Sequence, residues 1–188
     1  MANNMEQKLV KRAKEGDKTA FEELVKLYFS RIYKTAIHIM ADADEAKDMT
    51  QETFIKAYSA LDRFDGRSTF FTWIYRILIN LCLNRKKEIQ KWAPLKEKDP
   101  RLKAFVEEKE TASGETPEDK LNKKRTIISL VEAIDELSEA LRTTLILVVF
   151  ENMDYKQVGE ILGCSEGTVA WRVFRAREIL REKLKKIL

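Results

Sequence analysis

The sequence predicts an all-α protein of two small helical domains joined by a flexible linker. Three observations carry that expectation. The chain has 188 residues but only six glycines and three prolines, and it is rich in Ala, Leu, Ile, Lys and Glu, a composition that leans towards helix. Its apolar residues recur every three or four positions, and no segment alternates with the period of two that a half-buried strand requires. All three prolines, Pro94, Pro100 and Pro117, fall in one stretch, which also contains ETASGETPED without a large apolar side chain. Proline breaks helices and small polar residues build no core. Residues 94–117 therefore read as a linker between a domain over 1–93 and a domain over 118–188.

The first domain holds four helices. One covers about 5–15 and stops at Gly16. The second starts after Asp17 and places Phe21, Leu24, Val25, Tyr28, Ile32, Ala36 and Ile39 on one stripe. The third begins around Asp42 to Asp44 and carries Ala46, Met49, Phe54 and Ala57, then Leu61 to Phe64. The fourth starts at about Ser68, in the N-cap position, and runs through FFTWIYRILINLCLNRKK. Its core face is Phe71, Ile74, Leu78, Leu81 and Cys82, while Phe70 and Tyr75 are left unassigned.

The second domain also holds four helices, at about 118–136, 138–151, 154–162 and 166–186, with Ser138, Asp154 and Ser165 as N-caps. Val158, Ile161 and Leu162 give the third of these an inner face, Gly159 is small where two helices would cross, and Gly163 suits a left-handed helix end. Val169, Val173, Ala176 and Leu180 give the last helix its buried stripe. Turn, caps, core face and a basic outer face agree on a helix-turn-helix, whose second helix lies in the major groove. From 166 to 188 there are seven Lys or Arg against three Glu, a net +4, equal to that of the whole chain.

Bulk properties narrow the function by exclusion. The sequence pI near 8.9 is only mildly basic, so the distribution of charge matters more than its sum. Cys82 and Cys164 have no second ligand at metal spacing and read as small buried hydrophobes in a reducing compartment. The N-terminal stretch has no apolar signal region, and TTLILVVF (143–150) is too short to span a bilayer, so a cytoplasmic protein with no membrane insertion is expected. No phosphate-binding glycine loop occurs, and no nucleophile with a base. The only histidine, His38, sits in a helix as a structural or surface residue. No catalytic residue, metal or cofactor is expected.

Trp73, Arg76, Asn80, Asn84 and Lys87 recur at helical spacing on a second face of the fourth helix. Residue types leave two readings: a solvated face, or a surface where indole stacks on an unpaired base, amides pair with base edges and cations meet phosphates. The preceding loop DGRST (65–69) offers small groups able to hold an extruded base. The linker's later half carries Glu107, Glu108, Glu110, Glu115, Glu118 and Asp119 against Lys109 alone, which suits a solvated tether or a segment lying in a basic channel.

DMTQETFIKAYSALDRFDGRSTFFTWIYRILIN (48–80) closely resembles region 2 of bacterial extracytoplasmic-function (group 4) sigma factors, and residues 137–184 resemble their region 4. The resemblance covers both domains in order. It implies a factor that binds core RNA polymerase, recognises −10 and −35 promoter elements and promotes melting. Asp48, Gln51, Glu52, Phe54 and Ile55 match the family's anchor for the largest-subunit clamp helices, with the flap as a further polymerase contact. Asp65, Gly66, Arg67, Ser68 and Thr69 resemble the loop that captures a flipped −10 base. Trp73, Arg76, Asn80, Asn84, Arg85 and Lys87 match the melting surface and the nearby duplex edge.

Gly167, Thr168, Arg172, Phe174, Arg175 and Arg177 belong to the −35 recognition pattern, from which Ala170 and Trp171 depart. Many members of the family have a basic and a small polar residue there. Trp171 can pack on thymine methyls or against its own domain. The resemblance also implies an anti-sigma factor as partner and favours the channel for the acidic linker. A stand-alone helix-turn-helix regulator is the alternative, and it leaves residues 48–87 without an explanation.

Overall fold

A computed structural model describes residues 2–90 and 117–185, and among these residues every regular element is helical. The chain divides into two units, Met1–Pro94 and Leu95–Leu188. The expected linker and its acidic half lie outside the described residues, except that Pro117 opens a helix and Glu118 and Asp119 follow in it.

In the first unit, α1 spans Ala2–Lys14, α2 Lys18–Met40, α3 Ala43–Ala60 and α4 Phe70–Gln90, with a 3₁₀ turn at Leu61–Arg63. Side-chain caps set the starts. Asp17 Oδ1 accepts from Ala20 N at 3.2 Å, and Asp42 Oδ1 accepts from the amides of Asp44 and Glu45 at 2.9 and 3.0 Å. Each such cap is worth about 1 kcal/mol. For α4 the cap is Thr69 rather than Ser68, because Thr69 Oγ1 accepts from Thr72 N at 3.1 Å. Helix α2 ends at Ala41, a non-glycine in the left-handed region at φ 57°. Lys86 Nζ reaches across from α4 to the Ile39 carbonyl in its last turn at 2.8 Å.

The core of this unit is a wide stripe of α4 laid against α2 and α3. Phe70, Ile74, Tyr75, Leu78, Ile79 and Cys82 are all essentially inaccessible, as are Leu24, Ile32 and Ala36 of α2 and Ala46 and Ala57 of α3. Phe70 and Tyr75 thus belong to the core, and Thr35 Oγ1 donates to the Tyr75 hydroxyl at 3.3 Å. Phe71, expected inside, sits at the rim instead. It is half-buried, with the Arg31 guanidinium 4.7 Å from its ring centre and the Tyr75 ring 4.5 Å away. His38 is buried in α2.

In the second unit, α5 spans Pro117–Asp135, α6 Glu139–Leu145, α7 Tyr155–Leu162 and α8 Glu166–Leu184. The expected helix over 138–151 is therefore interrupted: after Leu145 it widens into a π turn at Ile146–Phe150, closed by Glu151 N donating to the Ile146 carbonyl at 3.2 Å. Asn152 then turns the chain at φ 51°, a conformation Asn tolerates. Ser138 holds the N-cap position of α6 without a side-chain hydrogen bond. Ala133, Ile134, Leu137, Leu141, Leu145, Ala176 and Leu180 form a core cluster joining α5, α6 and α8. No described helix is long and apolar enough to cross a membrane.

Burial pushes the Cys82 thiol up to about 12, against the opposing pull of the Lys86 charge, so Cys82 is fully protonated at neutral pH. The thiolate is the nucleophile. In the native protein at pH 8, an aromatic disulfide reagent is expected to leave Cys82 untouched while modifying half-buried Cys164. Cys82 reacts only after denaturant is added, and peptide mapping by mass spectrometry reads which thiol was labelled.

Candidate nucleic-acid interface

With one stripe of α4 buried, helical geometry turns Trp73, Asn80 and Asn84 outward. They line an open depression of about 520 Å³ whose other wall is α3 and the 3₁₀ turn, contributing Lys56 and Arg63. Asn80 and Asn84 are exposed and Trp73 is half-buried. One edge of the indole is fixed by neighbouring rings, with Phe64 at 5.0 Å and Phe70 at 5.6 Å between centres. The groove therefore combines a pre-positioned aromatic, two amides and two cations. Lys56 and Arg63 escaped the sequence reading because they come from a different element. Lys56 also pairs with Glu52 of the same helix at 2.9 Å.

The loop entering α4 is held at three points. Lys14 Nζ of α1 donates to the Phe64 carbonyl at 2.7 Å. Asp65 Oδ1 accepts from Arg67 N at 3.1 Å, and its other oxygen meets the Arg67 guanidinium. Thr69 caps α4. Gly66 sits at φ 75°, where a side chain is disfavoured. The hydrogen bonds from the Arg67 amide and side chain hold the Asp65 carboxyl below the usual range, so it remains ionised through mild acid. Asp65, Gly66, Arg67 and Thr69 are exposed and Ser68 is half-buried.

The basic run at the end of α4 separates into different roles. Arg85 forks onto Glu45 of α3, with Nε and Nη2 at 2.7 and 2.8 Å from its two carboxylate oxygens. That hydrogen bonding raises its already high pKa further, and its charge serves to tie α4 to α3. Lys86 is spent on the Ile39 carbonyl. Lys87 is exposed, and Arg76 is half-buried.

Elsewhere along α3, Asp48 and Gln51 are exposed, Glu52 is half-exposed and Ile55 is 65% accessible. Phe54 differs from the expectation that grouped it with them. It is 7% exposed and its ring stacks near Phe29 at 6.2 Å, because it falls on the inward stripe with Thr50, Thr53 and Ala57.

In the second unit, α7 is closed by a reciprocal cap, with Gln157 N donating to Asp154 Oδ1 at 2.7 Å and Asp154 N donating to Gln157 Oε1 at 3.3 Å. It ends on Gly163 at φ 65°. Ser165 Oγ accepts from Thr168 N at 3.2 Å to start α8. Gly159 is the crossing point: a Cβ there would lie 2.7 Å from the Cys164 carbonyl. Val169, Val173, Ala176 and Leu180 are buried as their spacing requires. The outer side of α8 presents Gly167, Trp171, Phe174, Arg175 and Arg177, with Thr168, Ala170 and Arg172 half-buried at its margins. Arg175 pairs with Glu178, and Arg172 Nη1 lies 3.8 Å from the Cys164 sulfur. Among the described residues, no group of three His, Cys, Asp or Glu is placed to hold a metal ion.

One helical unit thus presents a groove of an aromatic, amides and cations, and the other a helix-turn-helix. The comparisons agree. The profile of Sigma-70 region 2 matches residues 24–92, and that of Sigma-70 region 4 matches residues 127–180. The chain is 36% identical to the RNA polymerase sigma-H factor of Pseudomonas aeruginosa, over 100% of this chain and 98% of that one. It is 33% identical to the ECF RNA polymerase sigma factor SigW of Bacillus subtilis, over 96% and 97%. The sigma factor RpoE of Bartonella quintana, solved in complex with the anti-sigma factor NepR, superposes with a TM-score of 0.63 at 25% identity, covering 88% of this chain and 96% of that one. The chain belongs to the extracytoplasmic-function sigma factors and is an RNA polymerase sigma factor. A stand-alone helix-turn-helix regulator accounts for α7 and α8 but not for the region 2 match.

Replacing Gly159 by alanine forces the α7–α8 crossing apart, since the obstructing atom is backbone. Overpacking of this kind costs roughly 1–3 kcal/mol. Gly159→Ala is expected to lower the urea midpoint of the second unit and leave that of the first unchanged, as followed by amide hydrogen exchange.

Proposed function

We propose that the two units recognise the two promoter elements and that the first also opens the duplex. The groove beside the DGRST loop is the observation that carries this reading. A non-template −10 base flipped from the stack enters the loop at Asp65–Thr69, where Gly66 lets the backbone approach closely. The next base stacks on Trp73, whose edge is fixed by Phe64 and Phe70. Asn80 and Asn84 meet base edges, Arg76 and Lys87 meet the duplex margin, and Lys56 and Arg63 meet phosphates. Arg85 supports this surface by holding α4 on α3 rather than by touching DNA.

Melting then requires no bond chemistry and no nucleotide hydrolysis. The sigma factor binds the separated strand better than the paired one, and that difference shifts the equilibrium towards the open state. One aromatic stack is worth roughly 1–3 kcal/mol, comparable to the few kcal/mol needed to unstack a base. Asp48, Gln51, Glu52 and Ile55 present a mixed acidic and apolar face to the clamp helices of core polymerase, and the carboxylates orient the encounter. Region 4 reads the −35 duplex through α8 and meets the flap.

An anti-sigma factor is the regulatory partner, a reading supported by the relative solved with one. The site of action is the cytoplasm, where polymerase and promoter are found. The acidic linker enters the polymerase channel.

The test is transcription. Core polymerase with this protein and a promoter library is expected to yield initiated transcripts sharing two spaced elements. Absence of polymerase binding and of transcripts contradicts the proposal. On a selected promoter, Trp73→Ala is expected to reduce permanganate-reactive thymines at the −10 element roughly fivefold to a hundredfold, from the stacking range above. Closed-complex formation stays near the parent level. Unchanged opening in that variant excludes the stacking role.

A further inference from the structure

Among the described residues of the second unit, Trp171 and Phe174 are the two most exposed large apolar side chains, at 61% and 67%. They lie on the first turns of α8, on the side opposite Val169, Val173, Ala176 and Leu180. The sequence left Trp171 two places to go, its own domain or a base edge, and its exposure removes the first. Gly167 and Ala170 are small neighbours, so the helix backbone can approach a partner closely and the indole projects beyond it.

The polar groups nearby are already engaged. Thr168 Oγ1 lies 2.9 Å from Ser165 Oγ in the cap, Arg175 pairs with Glu178, and Arg172 reaches the Cys164 sulfur. Gly167, Ala170 and Phe174 have no side-chain hydrogen-bonding group, and Trp171 offers one N–H donor. The leading surface of this helix is thus largely apolar, with a frame of Arg172, Arg175, Arg177 and Arg181. The segment's net +4 fits a polyanion better than an apolar protein groove. In the major groove, one apolar feature distinguishes a base, the 5-methyl group of thymine.

We propose that Trp171 is a specificity-determining residue that reads thymine methyl groups in the −35 duplex, with Phe174 widening the contact. This rests on region 4 reading the −35 element and goes beyond it by naming the chemical feature selected. The element chosen by this sigma factor then carries at least one thymine whose methyl group, rather than its hydrogen-bonding edge, is recognised.

The experiment uses holoenzyme assembled from the full chain and core polymerase. A −35 region is first selected from a randomised library placed upstream of a fixed −10 element. Each thymine of the selected duplex is then replaced by deoxyuridine, which removes the methyl and keeps the base pair. For the parent protein, at least one replacement is expected to weaken competition binding about fourfold, the effect of withdrawing one buried methyl. In Trp171→Ala that replacement is expected to make no difference, and in Trp171→Phe part of the sensitivity remains. Trp171 is exposed, so the variants keep the fold, and an unchanged urea midpoint checks this.

Indifference of the parent to every thymine replacement overturns the inference, as does full sensitivity retained by Trp171→Ala. Loss of capture of a protein partner by Trp171→Ala with uracil sensitivity unchanged assigns the residue to a protein surface and also overturns it. A holoenzyme that selects no upstream element at all removes the −35 reading itself, a result distinct from selection without methyl dependence.

Discussion

Burial of the α4 stripe is the constraint on which the first unit depends. Phe70, Ile74, Tyr75, Leu78, Ile79 and Cys82 bring most of their surface out of water together, so the helix has one favourable rotation about its axis. A shift of one residue would turn every side chain by about 100° and expose that stripe. Once the rotation is fixed, Trp73, Asn80 and Asn84 have only the groove side left. Staples at both ends hold the setting. Phe64 and Phe70 grip Trp73 at the start. The Arg85–Glu45 fork and the Lys86 contact to the Ile39 carbonyl hold the end. Core and interface are therefore one decision, made by the spacing of a single helix.

The second unit uses a closer version of the same economy. Its helix-turn-helix angle depends on backbone approaching backbone at Gly159, with the Cys164 amide donating to the Gly159 carbonyl at 3.0 Å. The turn is short because Gly163 reverses the chain without strain and Ser165 starts the next helix at once. With Val169 and Val173 committed to the core, the other side of α8 is left to Trp171, Phe174 and the arginines.

Local rules made much of this legible. Asp154 and Ser165 cap the helices whose starts they mark in the sequence, α2 and α3 begin just after Asp17 and Asp42, and the 3.6-residue stripes mark the cores of α2 and α8. What spacing could not supply was the identity of neighbours. Arg85 and Lys86 look like exposed Lys87 in sequence, yet Glu45 and a helix-end carbonyl of α2 claim them. Phe54 sits one residue from exposed Ile55 but faces inward. Thr69 and Ser68 are equally good caps, and only the position of the Thr72 amide decides between them. Lys56 and Arg63 join the groove from across a helix pair, a distance that periodicity along one helix does not measure. The π turn at Ile146–Phe150 leaves no mark in the local pattern, whose residues read as ordinary helix.

The central claim is that a pre-positioned groove favours separated strands over paired ones, and that this preference is what opens a promoter. Its most direct measure is the ratio of holoenzyme affinities for a single-stranded non-template −10 oligonucleotide and for the same sequence as duplex, read by fluorescence anisotropy at one salt concentration. A strong preference for the single strand is expected, and it collapses when Trp73 and Asn80 are both replaced by alanine, with core polymerase binding unchanged. Equal affinities for the two forms, or a preference that survives the double replacement, would contradict it.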